Sequence, residues 1–187
     1  MTGREEIILI KKIRNGEADL FREIVSLHSS RIFSLVRGIV GNPEDAEEIA
    51  QDVFVKAFFS IGSFRGNSSL STWLYRIAYN MSLSFVRKTK KRHIYVDMKM
   101  VLNFKDESTQ DDMIKDKEYT ILYNSISKLP PDDRFIITEF YLHDKSIGEI
   151  SAVNGMSEMN IKVRLHRLRK KMGTNMKEKM DMLYEYK

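Results

Sequence analysis

Apolar residues recur at helical spacing over most of this chain and sort it into a series of helices. The pattern predicts a first helix over about Glu5 to Arg14, stopped by the turn pair Asn15-Gly16. A second runs from about Ala18 to Val40, with Leu20, Ile24, Leu27, Ile32, Leu35 and Ile39 on its inner side, and Gly41 ends it. Asn42 is placed to cap the third, with Pro43 at its first position and Glu44 and Asp45 at the positive end of its dipole. That helix turns Ala46, Ile49, Ala50, Val53, Ala57 and Phe58 inward. The run from Gly62 to Ser69 is a loop by composition. A fourth helix follows, with Leu70, Trp73, Leu74, Ile77, Met81 and Phe85 on one stripe.

From His93 to Asp112 the periodicity fades and acids gather, which predicts a linker. It retains Ile94, Val96, Met98, Met100, Val101, Leu102 and Phe104, too apolar for a purely solvated tether, so it is expected to lie in a groove of a partner. Beyond it the pattern predicts a helix over Met113 to Ser127, a break at Leu129-Pro130-Pro131 and a helix over Asp132 to Leu142. A short helix over Ile147 to Val153, a turn at Asn154-Gly155 and a longer helix opening at Ser157 complete the chain. The expected fold is all-α: two small helical domains, 1–92 and 113–187, joined by the linker 93–112. The C-terminal domain contains a helix-turn-helix. No internal repeat or low-complexity tract interrupts them.

Charge changes the picture more than composition does. Residues 1–92 hold 15 Lys and Arg against 10 Asp and Glu, residues 93–112 hold 2 against 5, and residues 113–187 hold 14 against 11. Two basic blocks therefore flank an acidic joint. Arg87 to Arg92 carries five cations in six residues, and Lys162 to Lys171 carries six in ten with no acid among them. Either cluster alone reads as a solvated face; the pair points to a polyanion. A hydrophobic content of 42% supplies a core, and the absence of cysteine removes disulfides, thiolate metal sites and cysteine nucleophiles. The opening apolar run Ile7 to Ile10 is too short for a signal peptide, and no stretch of about eighteen apolar residues exists to span a membrane. The expected location is the cytoplasm, with no membrane insertion.

In the last helix Ile161, Leu165, Leu168 and Met172 form the inward stripe. The opposite face presents Val163, His166, Arg167 and Lys170, with Lys162 and Arg169 on one flank and Arg164 and Lys171 on the other. Such a face suits the major groove, where cations meet guanine O6/N7 or phosphate and Val163 meets a thymine methyl. A surface helix carrying lysines for solubility is the alternative. On the fourth helix Tyr75 and Tyr79 stand one turn apart, away from the apolar stripe, among Arg76, Asn80, Arg87 and Lys90. Aromatics interleaved with cations suit unstacked bases; the equal alternative is that both tyrosines cover a neighbouring helix. The acidic third helix, with Glu44, Asp45, Glu47, Glu48 and Asp52, repels phosphate and is either a protein-binding or a solvated face.

Nothing in the sequence assembles a catalytic or cofactor site. His28, His93, His143 and His166 stand apart without metal-ligand spacing, no Walker loop or dinucleotide fingerprint occurs, and Ser68, Ser69 and Ser71 have no nearby base. No catalytic residue, metal or cofactor is expected.

The segments DAEEIAQDVFVKAF (45–58), FRGNSSLSTWLYRIAYN (64–80) with Arg87 after it, and LPPDDRF followed by SIGEISAVNGMSEMNIKVRLHRLRKKM (129–172) resemble the extracytoplasmic-function sigma factors, the smallest members of the main bacterial sigma family. The resemblance spans nearly the whole chain in the family's order. It implies a sigma region 2 domain that binds the RNA polymerase clamp helices and melts the −10 element. It also implies a region 4 domain that meets the polymerase flap and reads the −35 element of promoter DNA. By position, Glu48, Gln51 and Asp52 are implied as polymerase contacts. Phe64, Arg65, Gly66, Asn67, Ser68 and Ser69 are implied as the loop receiving a flipped −10 base, with Asn80 nearby, and Lys162, Val163, His166 and Arg167 as the base-reading set. An anti-sigma factor is an implied partner, and no extra regulatory domain is expected. Met159-Asn160 replaces the common Gly-Thr pair, Ser151 a frequent alanine and Asn154 a common leucine, so the resemblance carries over the motif but not the fine −35 geometry or sequence preference. Two rival readings stand beside it: a helix-turn-helix regulator that binds duplex unaided, and a helical adaptor that binds only protein.

Overall fold

The computed structural model describes residues 3–89, 122 and 124–184, with side chains at 5–89, 122 and 124–173. The expected linker 93–112, the cations Lys90 to Arg92 and most of the helix expected over 113–127 lie outside the described residues. Among the described residues the regular structure is helical and no strand occurs. The α-helices with both ends among the described residues are, in order, α1 (Gly3–Arg14), α2 (Phe21–Val40), α3 (Pro43–Ser60), α4 (Leu70–Thr89), α5 (Pro131–Tyr141), α6 (Ile147–Asn154) and α7 (Glu158–Tyr184). One-turn 3₁₀ segments at Ala18–Leu20 and Ile61–Ser63 introduce α2 and follow α3.

Local chemistry sets the helix ends. Asn42 Oδ1 accepts the Asp45 backbone N–H at 2.8 Å, with Pro43 in the first turn. Gly41, at φ 93°, closes α2 in a conformation that L side chains rarely adopt. In the N-terminal domain α2 packs against both α3 and α4. The fully buried residues Ile24, Ile32, Leu35, Val36 and Ile39 of α2 meet Ala46, Val53 and Ala57 of α3 and Leu70, Leu74 and Ala78 of α4. Each Leu or Ile so buried stabilises the fold by roughly 1.5–3 kcal/mol. Leu27, expected on the inner side of α2, is half exposed; His28 takes the buried position beside it. Leu27 lies 60° from the Ile24 direction, at the rim of the stripe.

The two domains pack against each other. α5 lies on α2, and α6 on α4. A methyl at position 38 would already touch Thr138 Cγ2 at 3.4 Å, so Gly38 lets α2 and α5 approach closely. Arg134 lies beside Gly41 at the negative end of the α2 dipole. Phe135 is buried against Tyr79, their ring centroids 4.6 Å apart, and the core runs continuously from one domain into the other.

Candidate nucleic-acid and polymerase interfaces

The helix-turn-helix is built by capping groups. Ser146 and Glu149 form a capping box on α6: the Glu149 N–H donates to Ser146 Oγ at 3.2 Å, and the Ser146 N–H to Glu149 Oε2 at 3.0 Å. Lys145 donates to Glu149 Oε1 at 2.8 Å and, with the Ser146 hydrogen bonds, holds the Glu149 carboxyl below its ordinary range. Gly155 ends α6 in the left-handed region, at φ 75°. Two of the chain's own residues tie the turn: the Ser151 hydroxyl donates to the Met156 carbonyl at 2.6 Å, and Asn154 Oδ1 accepts the Met156 N–H at 2.9 Å. Ser157 Oγ then accepts the Asn160 N–H at 3.3 Å and opens α7.

On α7 the inward stripe falls where periodicity puts it: Ile161, Leu165, Leu168 and Met172 are all buried. Lys162, Val163, His166, Arg167 and Lys170 are exposed. Arg164 departs from the expectation that it reads DNA. Its guanidinium pairs with Asp133 Oδ1 at 3.0 Å and braces α7 against α5. Arg169 likewise leans on α5, over the rings of Phe140 and Tyr141.

The loop before α4 is anchored at one end and open at its tip. Phe64 is buried edge-on to Trp73, their centroids 5.5 Å apart, so it is a core residue rather than part of an open base pocket. Arg14 donates to the carbonyls of Ile61, at 2.8 and 3.1 Å, and of Phe64, fixing the loop's first turn. Arg65, Gly66, Asn67 and Ser69 are exposed, Ser68 is half-buried, and Gly66 takes φ 72° at the tip. Ser69 Oγ accepts the Thr72 N–H at 3.2 Å and starts α4.

Along α4 the two tyrosines are covered by a neighbouring helix rather than exposed, the second of the two readings the sequence allowed. Tyr75 is 7% exposed and Tyr79 4%. Tyr79 donates its hydroxyl to Asp132 Oδ1 at 2.6 Å, and the Lys145 ammonium lies 5.9 Å from the Tyr75 ring centroid. Burial pushes both phenols above their ordinary range, with the Asp132 hydrogen bond adding to the shift of Tyr79. The cause is the second neighbour of α4: the C-terminal domain covers the face that the N-terminal domain leaves free. Arg76 is exposed but donates to the Ala152 carbonyl of α6, whereas Asn80 and Arg87 remain exposed. A cleft of about 140 Å³ remains between the start of α4 and α6, lined by Ser69, Thr72, Tyr75, Glu139, Lys145 and Glu149 among others.

A further tie crosses the domain boundary. His143 Nε2 lies 3.0 Å from Ser34 Oγ, and His143 Nδ1 lies 2.9 Å from Glu139 Oε1, with Glu139 only 3% exposed. The connectivity is that of a Ser-His-carboxylate triad, but Ser34 sits mid-helix, where backbone N–H groups are committed to the helix and none is free to serve an oxyanion. The network holds α5 to α2. Among the described residues no group of His, Asp and Glu is arranged to hold a metal, and no helix is long and apolar enough to cross a membrane.

The α3 surface carries Glu44, Glu47, Glu48, Gln51 and Asp52, all exposed. The same face continues into Val55, 54% exposed, and Phe59, 82% exposed, an apolar end that periodicity alone did not single out. Glu48, Asp52, Val55 and Phe59 fall within about 60° of one another around the helix.

Comparison with known proteins decides the family. Residues 24–92 match the profile of Sigma-70 region 2, and residues 119–172 that of Sigma-70, region 4. The ECF RNA polymerase sigma factor SigW of Bacillus subtilis (strain 168) is 33% identical over 168 residues, covering 84% of this chain and 89% of the relative. The chain belongs to the extracytoplasmic-function (ECF) sigma factors. It is a transcription initiation factor that directs promoter-specific transcription with RNA polymerase. The ECF RNA polymerase sigma-E factor of Escherichia coli (strain K12) is 29% identical, over 87% of this chain and 89% of the relative. Two solved structures share the fold at 20% identity. One, described as CnrH in complex with the cytosolic domain of CnrY, matches with a TM-score of 0.64 over 89% of this chain and 94% of that one. The other, the sigma factor RpoE in complex with the anti-sigma factor NepR from Bartonella quintana, matches with a TM-score of 0.63 over 84% and 96%.

Proposed function

We propose that this sigma factor reads a bipartite promoter with two chemically different surfaces, and that α3 joins it to the polymerase core. The outward face of α7 reads the −35 element as duplex through Lys162, Val163, His166, Arg167 and Lys170. The loop from Arg65 to Ser69, with Asn80 and Arg87, engages the −10 element as opened strand. Glu48, Gln51 and Asp52 meet the clamp helices of RNA polymerase, with Val55 and Phe59 extending that contact, and the C-terminal domain also meets the flap. The observation that carries the reading is the acid-free run from Lys162 to Lys171 on the exposed face of α7, set in a capped helix-turn-helix at the family's distance from the α4 segment.

The closed packing supports a further step in this reading. Elements about 25 base pairs apart are roughly 85 Å apart at 3.4 Å per base pair. Two touching domains, each with a radius of gyration of about 12 Å, cannot reach both. The C-terminal domain therefore leaves α4 when the factor assembles on polymerase and DNA, and Tyr75, Tyr79 and Arg76 become accessible to the opened strand only then. An anti-sigma factor is the expected regulatory partner, supported by the anti-sigma factor NepR named as bound to one structural neighbour. The cytoplasm, where polymerase works, is the proposed location.

Mixing the full chain with bare duplex and with polymerase core tests the reading. A sigma factor needs core for specific promoter binding, a helix-turn-helix regulator binds specific duplex alone, and an adaptor binds no DNA. Specific duplex binding without core would overturn the proposal.

A further inference from the structure

The outer ridge of α7 begins with two apolar residues. Met159 is 68% exposed and Val163 40%, and His166 and Lys170 continue the same line. At 100° per residue all four lie within about 60° of one another, opposite the buried Ile161, Leu165, Leu168 and Met172. Single exposed apolar residues are ordinary. These two are neighbours at i and i+4, at the end of the helix that meets base edges in helix-turn-helix proteins. Their position is fixed, because the Gly155 turn and the Ser157 cap set where α7 starts. Lys162 and Arg167 are exposed on either side of this ridge.

A thioether and an isopropyl group have little to offer the hydrogen-bonding edges of the major groove. They match its one apolar feature, the C5-methyl group of thymine. Met159 and Val163 are about 6 Å apart along the helix axis, close to two base-pair steps. We propose that Met159 and Val163 are specificity-determining residues that read thymine methyl groups at two base pairs, one or two steps apart, in the −35 element. The proposal rests on α7 being the −35 reader. It assigns to Met159 a role beyond filling the first turn: a guanine or cytosine at its position would leave O6 or N4 facing an apolar group, and so is selected against.

The test uses the full chain with polymerase core and a promoter library randomised across the −35 region, selected for open-complex formation. The expected winners carry thymine, on either strand, at two base pairs one or two steps apart. Replacing each thymine by uracil removes only the methyl, and should reduce open-complex formation about fourfold per position. Met159→Ala should abolish the methyl dependence at one of the two positions, and Val163→Ala at the other. Met159→Leu, which keeps the apolar bulk, should retain it. Both residues are exposed, so matched melting curves control for folding. Uracil performing as well as thymine, with −35 preference otherwise intact, would overturn this inference and leave the −35 assignment standing. Absence of any −35 preference would overturn both.

Discussion

The α7 and α4 helices carry opposite lessons. Over the side chains described, α7 has a dry side against α5 and α6 and a wet side; its apolar stripe and its exposed face fall where a 3.6-residue period places them. The α4 helix has neighbours on both sides, α2 and α3 on one and α5 and α6 on the other. Its buried sector is correspondingly wide. Leu70, Leu74 and Ala78 face one domain, Tyr75 and Tyr79 the other, while Trp73, Ile77, Met81 and Phe85 are partly buried at the edges. An open surface and a surface held closed thus share one molecule.

The largest expected effect comes from breaking the simple side of this comparison. Leu165, 1% exposed, packs inside the C-terminal domain. Leu165→Ala should cost about 2–5 kcal/mol of stability, read from denaturant titration, whereas Lys162→Ala on the wet face should stay within about 0.5 kcal/mol. Similar losses would mean that α7 is not divided as described.

Next in size is the α3 face, which is open where α4 is closed. Phe59→Ala should weaken binding to polymerase core by about 2 kcal/mol, the cost of losing an aromatic anchor. Charge reversal at Glu48 and Asp52 should weaken it further by slowing association. Both variants should melt like the parent. Undiminished co-purification with core would remove α3 from the interface.

A smaller effect probes the closed side directly. Tyr79→Phe keeps the ring against Phe135 and deletes the 2.6 Å bond to Asp132. It should shift the docking equilibrium of the two domains towards the open form by about 1 kcal/mol, roughly fivefold, measurable as an increased separated population between dyes on α3 and α7. An unchanged population would show that this contact does not hold the domains together.

Smallest at neutral pH is a change inside the N-terminal domain alone. His28 is 5% exposed, both of its ring nitrogens lack a hydrogen-bond partner among the described residues, and burial holds its pKa below 6.5. The unfolded chain therefore takes up this proton at a higher pH than the folded one. Stability is full above about pH 6.5 and falls as the pH drops through the window between 6.5 and the lower folded value. His28→Leu should flatten that acid limb and leave domain docking unchanged. An acid limb identical in the two proteins would exclude His28 as its source.

What the sequence revealed and what it hid divide along the same line. Asn42 with Pro43, the Asn154-Gly155 turn and the Ser157 cap act within a few residues of themselves, so their signals are local and the helix ends follow from them. Burial of Tyr79 depends on Asp132 and Phe135, more than fifty residues away, and the Arg164–Asp133 pair spans thirty-one. Nothing in a helical period records such a partner. Phe64 sat in a loop-like stretch rich in Gly and Ser, which hid its contact with Trp73. Val55 and Phe59 lie off the inward stripe of α3, and the sequence reading passed over them because it followed the acids of that face rather than its apolar end.

The central claim, that one surface reads duplex and the other reads opened strand, is tested most directly on matched templates. Holoenzyme carrying Arg167→Ala or Asn80→Ala would be assayed for open-complex formation on a full duplex promoter and on the same promoter pre-melted at −10. Arg167→Ala should lose about 1–3 kcal/mol and relax preference at one −35 position on both templates. Asn80→Ala should lose activity on the duplex and recover much of it on the bubble. Equal rescue of both variants by the bubble would contradict the assignment of the two surfaces.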